Sequence, residues 1–195
     1  GVVWPQEEGR VTLKLERLTA ANGIAHGQAH DALSDVRATI ALARLIRQKQ
    51  PRLYEWLFQL RSKQKVMDQI RLLQPMVHVS GRFSAARNYI GVVLPLAWHP
   101  KNRNALIVCD LHLDPLGLLD HDAATLRQRV YTRREELLEG ELPVPLTLIH
   151  ITKCPVVAPL SVLRAEDQQR LQLDMDVYQE RALRLTDAQQ VWQDK

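Results

Sequence analysis

A chain of 195 residues, 46% hydrophobic and 25% charged with a formal net charge of +4, holds enough apolar material for one large domain or two small ones, and too much for a disordered tail. It contains no run of about 18 apolar residues to span a bilayer and no charged-then-apolar leader, so a cytoplasmic protein with no membrane partner is expected. Cys109 and Cys154 have no companions at zinc-ligand spacing and are expected as reduced thiols in strands.

The opening GVVWPQEEGR has no initiator methionine and no recognisable first element, which suggests a piece of a longer protein. LKLERLTAANGI then predicts a short helix stopped by Asn22-Gly23. In AHDALSDVRATIALARLI, Asp31 can cap a helix on which Leu33, Val36, Ile40, Ala43 and Ile46 recur at helical spacing. His30 falls in the loop just before that helix and Asp35 in its first turns. Pro51 opens a third helix through RLYEWLFQLRSKQKVMDQIRLL, and Pro75 closes the helical region.

Beyond Pro75 the pattern changes to short apolar, β-branched runs punctuated by Pro, Gly and Asn: MVHVSG, YIGVVLPLAWHP, NALIVCDLHL and VPLTLIHITKCPVVAP. A compact β barrel is expected, interrupted by a helical insertion at HDAATLRQRVYTRREELLEG and followed by one or two helices in RAEDQQRLQLDMDVYQERALRL. The fold class is α+β, with a helical part over 1–50 and a β domain with linking and flanking helices over 51–195.

Charge is unevenly spread. Between Val36 and Lys65 eight basic side chains face Glu55 alone, and from Gln69 to Cys109 there is no acidic residue, while Arg71, Arg82, Arg87, Lys101 and Arg103 alternate with Phe83, Tyr89 and Trp98. A cationic surface with interleaved rings implies an anionic partner. Non-specific single-strand binding needs such a groove, because phosphates seek cations and each stacked base contributes roughly 1–3 kcal/mol. The residues offered for it are His78, Ser80, Arg82, Arg87, Asn88, His99, Asn102 and Arg103, with Phe83 and Tyr89 as stacking rings and Trp98 as core. Asp110, His112 and Asp114 alternate in CDLHLD, a pattern taken here for a polar strand edge rather than a metal site.

The order short helix, glycine turn, AHGQAHDALSDV looks like the final motif of the proofreading-type DEDD exonucleases. Extending through RQKQPRLYEWLFQLRSKQK, MVHVSGRFSAARNYIGVVLPLAWHPKNRNALIVCDL and LIHITKCPVVAPLSVLRAEDQQRL, the chain resembles the bacterial exodeoxyribonuclease I family over nearly its whole length. The resemblance implies the C-terminal helical part of an RNase H-like exonuclease domain followed by an SH3-like barrel. It also implies degradation of single-stranded DNA from 3′ to 5′, releasing 5′-mononucleotides with two Mg²⁺ or Mn²⁺ ions. His30 would be the general base and Asp35 a metal ligand: a loop histidine titrates near neutral pH, and hard divalent ions demand carboxylate oxygen. The family's Asp-x-Glu motif has no counterpart here, so the isolated chain is expected to bind without cleaving. The resemblance further implies binding of the acidic, Phe-ended tail of single-stranded DNA-binding protein, at Trp56, in place of an expected tyrosine, and at Arg164, with Arg37, Arg44 and Arg47 as a nearby basic stripe. The complete protein is expected to be a monomer and this piece to self-associate through residues 14–60. An RNA-directed DEDD exonuclease and a non-catalytic nucleic-acid- or protein-binding module are the alternatives.

Overall fold

The structure, a computed structural model, describes residues 1–25, 27, 31–130 and 144–193. It opens with a hairpin the sequence did not announce. Strands β1 (Gln6–Glu7) and β2 (Arg10–Val11) pair antiparallel. Their turn places both Glu8 and Gly9 at positive φ, +51° and +75°, and glycine carries the second position at little steric cost. Helix α1 (Leu15–Ala21) and helix α2 (Ala32–Lys49) follow as expected, with the Asp31 carboxylate accepting from the Ser34 N–H at 3.0 Å to cap α2.

The expected third helix is two helices, α3 (Pro51–Gln59) and α4 (Lys63–Asp68). The break at Leu60–Ser62 lets Leu60, Val66 and Ile70 turn into one apolar cluster, which a straight helix would spread along a face. Burial at this point outweighs uninterrupted helix propensity.

Five strands form a single antiparallel sheet in the order β6-β5-β4-β3-β7: β3 (Met76–Val79), β4 (Ile90–Trp98), β5 (Ala105–Asp110), β6 (Leu146–His150) and β7 (Val156–Pro159). Pro95, which cannot donate to a ladder, sits where the β4–β5 register shifts between Pro95 and Ala97. Both faces are covered, which is why β4 reads as an unbroken apolar run rather than an alternating one. Val93, Leu106, Val108 and Ile149 pack with α3 and α4. Leu94, Leu96 and Cys109 pack instead with Leu118 of α5 (Leu116–Leu119), Leu126 of α6 (Ala123–Arg129), Tyr178 and Leu185 of α8 (Met175–Asp187), and Trp192 of α9 (Gln189–Trp192). A further short helix, α7 (Ala165–Arg170), precedes α8.

The edge strands β6 and β7 are consecutive in the chain, joined by residues 151–155. Laid flat, five strands would hold those edges about 19 Å apart. The link begins with a turn, the Lys153 N–H donating to the His150 carbonyl at 3.0 Å, and is too short after it to cross that gap. The sheet is therefore strongly curled. A β6–β7 ladder that would close it into a barrel is not formed among the described residues.

Candidate nucleic-acid interface

The turn from β3 to β4, residues 80–89, gathers most of the expected binding residues and sorts them by burial. Phe83 is only 5% exposed and lies in the core, edge-on to His78 at 5.8 Å between ring centres. Its ring is thus unavailable for stacking on a base, which corrects the role given to it from the sequence. His78 is buried as well and its Nδ1 lies 2.9 Å from the Val156 carbonyl. Burial pushes its pKa below the ordinary histidine value, so it stays neutral and is no cationic phosphate contact.

Arg87 is also corrected. Its guanidinium makes a two-pronged ion pair with Asp110, Nη1 to Oδ2 at 2.6 Å and Nη2 to Oδ1 at 2.9 Å, and lies over the Phe83 ring at 4.7 Å. With side chains 20% and 10% exposed, the two charges satisfy each other in a half-dry setting. Asp110 is thus no polar strand edge. β5 ends on it, the chain turns at 111–113, and Asp110, His112 and Asp114 do not share a strand face. The carboxylate also accepts the His112 N–H at 3.1 Å.

Arg82, Asn88 and Tyr89 remain presentable. Arg82 is exposed and touches Thr147 Oγ1 at 3.2 Å, a neutral partner that leaves its charge available. Asn88 is exposed, at φ +51°, and half-buried Tyr89 follows at φ +59°. Tyr89 faces a cleft of about 650 Å³ shared with Glu7, Glu8, Arg10, Val11, Thr12 and Lys14 of the N-terminal hairpin and its exit. Ser80 holds the loop's base: its N–H donates to the Tyr89 carbonyl at 2.9 Å and its carbonyl accepts from Phe83 at 3.1 Å.

The β4–β5 turn supplies a second cationic point. His99 Nδ1 accepts the N–H groups of Lys101 and Asn102 at 3.2 and 3.1 Å, and Asn102 Oδ1 accepts that of Asn104 at 3.0 Å. His99 and Asn102 therefore shape the turn, while Arg103 stands exposed on it. Cys109 lies buried in β5 as expected, but Cys154 is exposed in the β6–β7 turn at φ +46° rather than in a strand.

Asp35 sits half-buried in the first turn of α2, and His30 lies outside the described residues. Among the described residues no three potential ligands of the His, Cys, Asp or Glu type cluster to hold a metal ion, so Asp35 alone does not make a site for Mg²⁺ or Mn²⁺.

Trp56 of α3 is half-buried against the sheet's core, and its Nε1–H donates to the Val157 carbonyl of β7 at 3.1 Å. From β7 the chain runs through a short 3₁₀ turn, Leu160–Val162, to Arg164, which precedes α7. Arg164 is exposed but engaged: its Nε donates to Asp167 Oδ2 at 2.8 Å and it pairs with Glu166. Arg164, helped by Arg170, holds the Asp167 carboxyl down at about 2. An acidic ligand at Arg164 would have to displace these carboxylates. Arg37, Arg44 and Arg47 are all exposed on α2, and Arg47 and Arg61 flank the stacked rings of Tyr54 and Phe58.

A curled five-stranded sheet, backed by helices on both faces and carrying exposed Arg82 and Arg103 on its connecting loops, defines a small β domain. Residues 61–195 match the Exonuclease I SH3-like domain, and the chain belongs to that family. It is 49% identical over 174 residues to Escherichia coli exodeoxyribonuclease I, covering 88% of this chain and 36% of that protein. With the Haemophilus influenzae exodeoxyribonuclease I it is 46% identical, covering 89% and 38%. Among solved structures, E. coli Exonuclease I in complex with a dA16 oligonucleotide superposes with a TM-score of 0.94 at 45% identity, over 99% of this chain and 42% of that one. The chain thus spans well under half the length of these relatives. A zinc-bound form of the E. coli enzyme with single-stranded DNA also superposes, with a TM-score of 0.93.

Proposed function

We propose that this chain is the single-stranded-DNA-cradling portion of a 3′→5′ exodeoxyribonuclease. The observation that carries the reading is the set of exposed Arg82 and Asn88 with half-buried Tyr89 in the β3–β4 loop, and exposed Arg103 in the β4–β5 turn, on a fold that superposes with an exonuclease in complex with an oligonucleotide. Arg82 and Arg103 would neutralise phosphates, Tyr89 would offer its ring to a base, and His99 and Asn102 would hold Arg103 in place.

In the complete protein, Asp35 would be one carboxylate ligand of a two-metal site for Mg²⁺ or Mn²⁺ and His30 the base that takes the proton of the attacking water. A divalent pair would activate that water and stabilise the leaving 3′ oxygen. One carboxylate holds no such pair, so hydrolysis to 5′-mononucleotides belongs to the complete, cytoplasmic, monomeric protein, and this chain binds without cleaving. A second surface, Trp56 with Arg164 and the α2 arginines, would take the acidic tail of single-stranded DNA-binding protein: cations for its carboxylates and an apolar wall for its terminal ring.

Binding of fluorescent oligo(dT) at several salt concentrations tests the reading. The native chain should bind at micromolar or tighter affinity, and each of Arg82→Ala and Arg103→Ala should flatten the slope of log affinity against log salt by about 0.7, as one single-strand phosphate contact requires. Absence of binding at low salt, or slopes unmoved by both substitutions, would refute the interface.

A further inference from the structure

The 80–89 loop presents the groups of the proposed interface, yet its own backbone is an uneasy one. Asn88 and Tyr89 are consecutive non-glycine residues in the left-handed region, a conformation that persists only when surrounding structure imposes it. What imposes it lies 23 residues further along the chain. Arg87 is gripped by both oxygens of Asp110, at 2.6 and 2.9 Å, and packs over Phe83, which is itself sunk in the core.

Asp110 is in turn fastened on its other side. Its Oδ1 also accepts the His112 N–H. The 110–113 turn is tied to α8 by Arg181, whose Nη1 donates to the carbonyls of Leu111 and His112 at 2.8 Å each. The His112 ring meets the Tyr178 hydroxyl at 3.3 Å. The loop is thus pinned through one carboxylate to α8, which puts Tyr178, Ala182 and Leu185 into the second apolar cluster.

We propose that Asp110 is a positioning residue for single-stranded DNA binding: by holding Arg87 it fixes the 80–89 loop so that Arg82, Asn88 and Tyr89 face the strand together. The proposal rests on the interface reading above. It makes a prediction opposite in sign to simple charge attraction. Removing an acidic residue beside a polyanion site should strengthen binding if charge alone mattered, and would free Arg87 to meet a phosphate. Under the positioning role, removing Asp110 weakens binding although the surface becomes more positive.

The experiment compares the native chain with Asp110→Ala, Asp110→Asn, Arg87→Ala, Arg87→Lys and the Arg87→Ala/Asp110→Ala pair, using oligo(dT) affinity over a salt series and amide hydrogen exchange of residues 82–90. The expected result is a loss of affinity of about threefold to a hundredfold for either alanine variant, the range of couplings within contact networks, with the pair no worse than either alone. The salt slope should stay at the native value, since no phosphate contact is lost, and the loop amides should exchange faster. Asp110→Asn keeps the shape of the site, and Arg87→Lys keeps the charge without the two-pronged geometry. If Asp110→Ala does not fold, these two carry the test and should show the same weakening. Equal or tighter binding by the Asp110 variants, or a slope reduced in Arg87→Ala but kept in Arg87→Lys, as a phosphate contact by Arg87 itself would give, overturns the proposal. Unchanged loop exchange with intact binding also overturns it while leaving the interface reading in place. Absence of binding by the native chain removes that reading and the proposal together.

Discussion

The ring of Phe83 lies directly against the α-carbon of Gly91. A β-carbon built on Gly91 would stand 2.6 Å from Phe83 Cε2 and 2.8 Å from Cε1, and closer still to Cζ. Gly91 pairs with His78 in the β3–β4 ladder, and His78 in turn meets the Phe83 ring edge-on, so strand, ring and loop interlock at one point.

Gly91→Ala should therefore destabilise through overpacking, by about 1–3 kcal/mol, because an aromatic ring held in a core cannot swing aside as a flexible chain end would. In a thermal melt of a chain this size each kcal/mol is worth roughly 2–4 °C. Phe83→Leu in the Gly91→Ala background should restore part of the loss, the sign of a direct clash. A melt unchanged by Gly91→Ala would show that the ring has room to move.

How far the sequence could foretell this arrangement depended on the range of the interaction. Helix α2 and its Asp31 cap were legible, because the cap and the apolar spacing are both local signals. The strands β3, β4 and β5 were recognisable as apolar runs, while the register shift at Pro95 was not anticipated. The roles of Phe83, Arg87 and His78 were misassigned because rings, cations and a histidine in a basic loop suit binding as well as core. Only the sheet register, which brings Gly91 under one ring and Asp110 beside one guanidinium, decides between them. A charge closing the apolar run ALIVCD was the available hint: a buried carboxylate needs a partner, though nothing local names one 23 residues away. The single break at Leu60–Ser62 was hidden because both halves have helical periodicity.

Acid should weaken the fold in two steps. His78 titrates below the ordinary 6.5 in the folded chain because burial penalises its charged form. The unfolded chain therefore takes up that proton first, and the stability contributed by neutral His78 is full above pH 6.5 and declines as pH falls below it. Asp167, held down to about 2 by Arg164, contributes stability that is full above the ordinary 3.8 and is lost as pH falls toward 2. Urea unfolding across pH 2–8 should show both declines, with His78→Gln abolishing the upper one. A midpoint flat between pH 5 and 7 would contradict the His78 assignment.

The two thiols should differ sharply in reactivity. Cys109 is buried among apolar side chains, and burial, with the Asp110 charge beside it, pushes its thiol far up. Cys154 is exposed in the β6–β7 turn. A disulfide reagent at pH 8 should modify one thiol quickly in the native chain and the second only after unfolding, since the thiolate is the reacting form. Loss of the fast phase in Cys154→Ser identifies it. Two fast equivalents would mean that β5 opens readily.

The apolar face predicted on α2 is formed but only partly covered. Leu33, Val36 and Ile40 are 57%, 54% and 47% exposed, and Leu53 and Phe58 of α3 are also exposed. Covering side chains of this size is worth about 1.5–3 kcal/mol each, and a monomer rarely leaves so many bare on neighbouring turns. The chain on its own should accordingly associate through α2 and α3 at rising concentration, and Val36→Glu/Ile40→Glu should return it to the monomer. Salt separates this contact from nucleic-acid binding. Arg37, Arg44 and Arg47 repel one another across a self-association face, so added salt should strengthen the oligomer while it weakens the grip on oligo(dT). Sedimentation velocity at low and high salt reads both signs, and a monodisperse monomer at every concentration would refute the association.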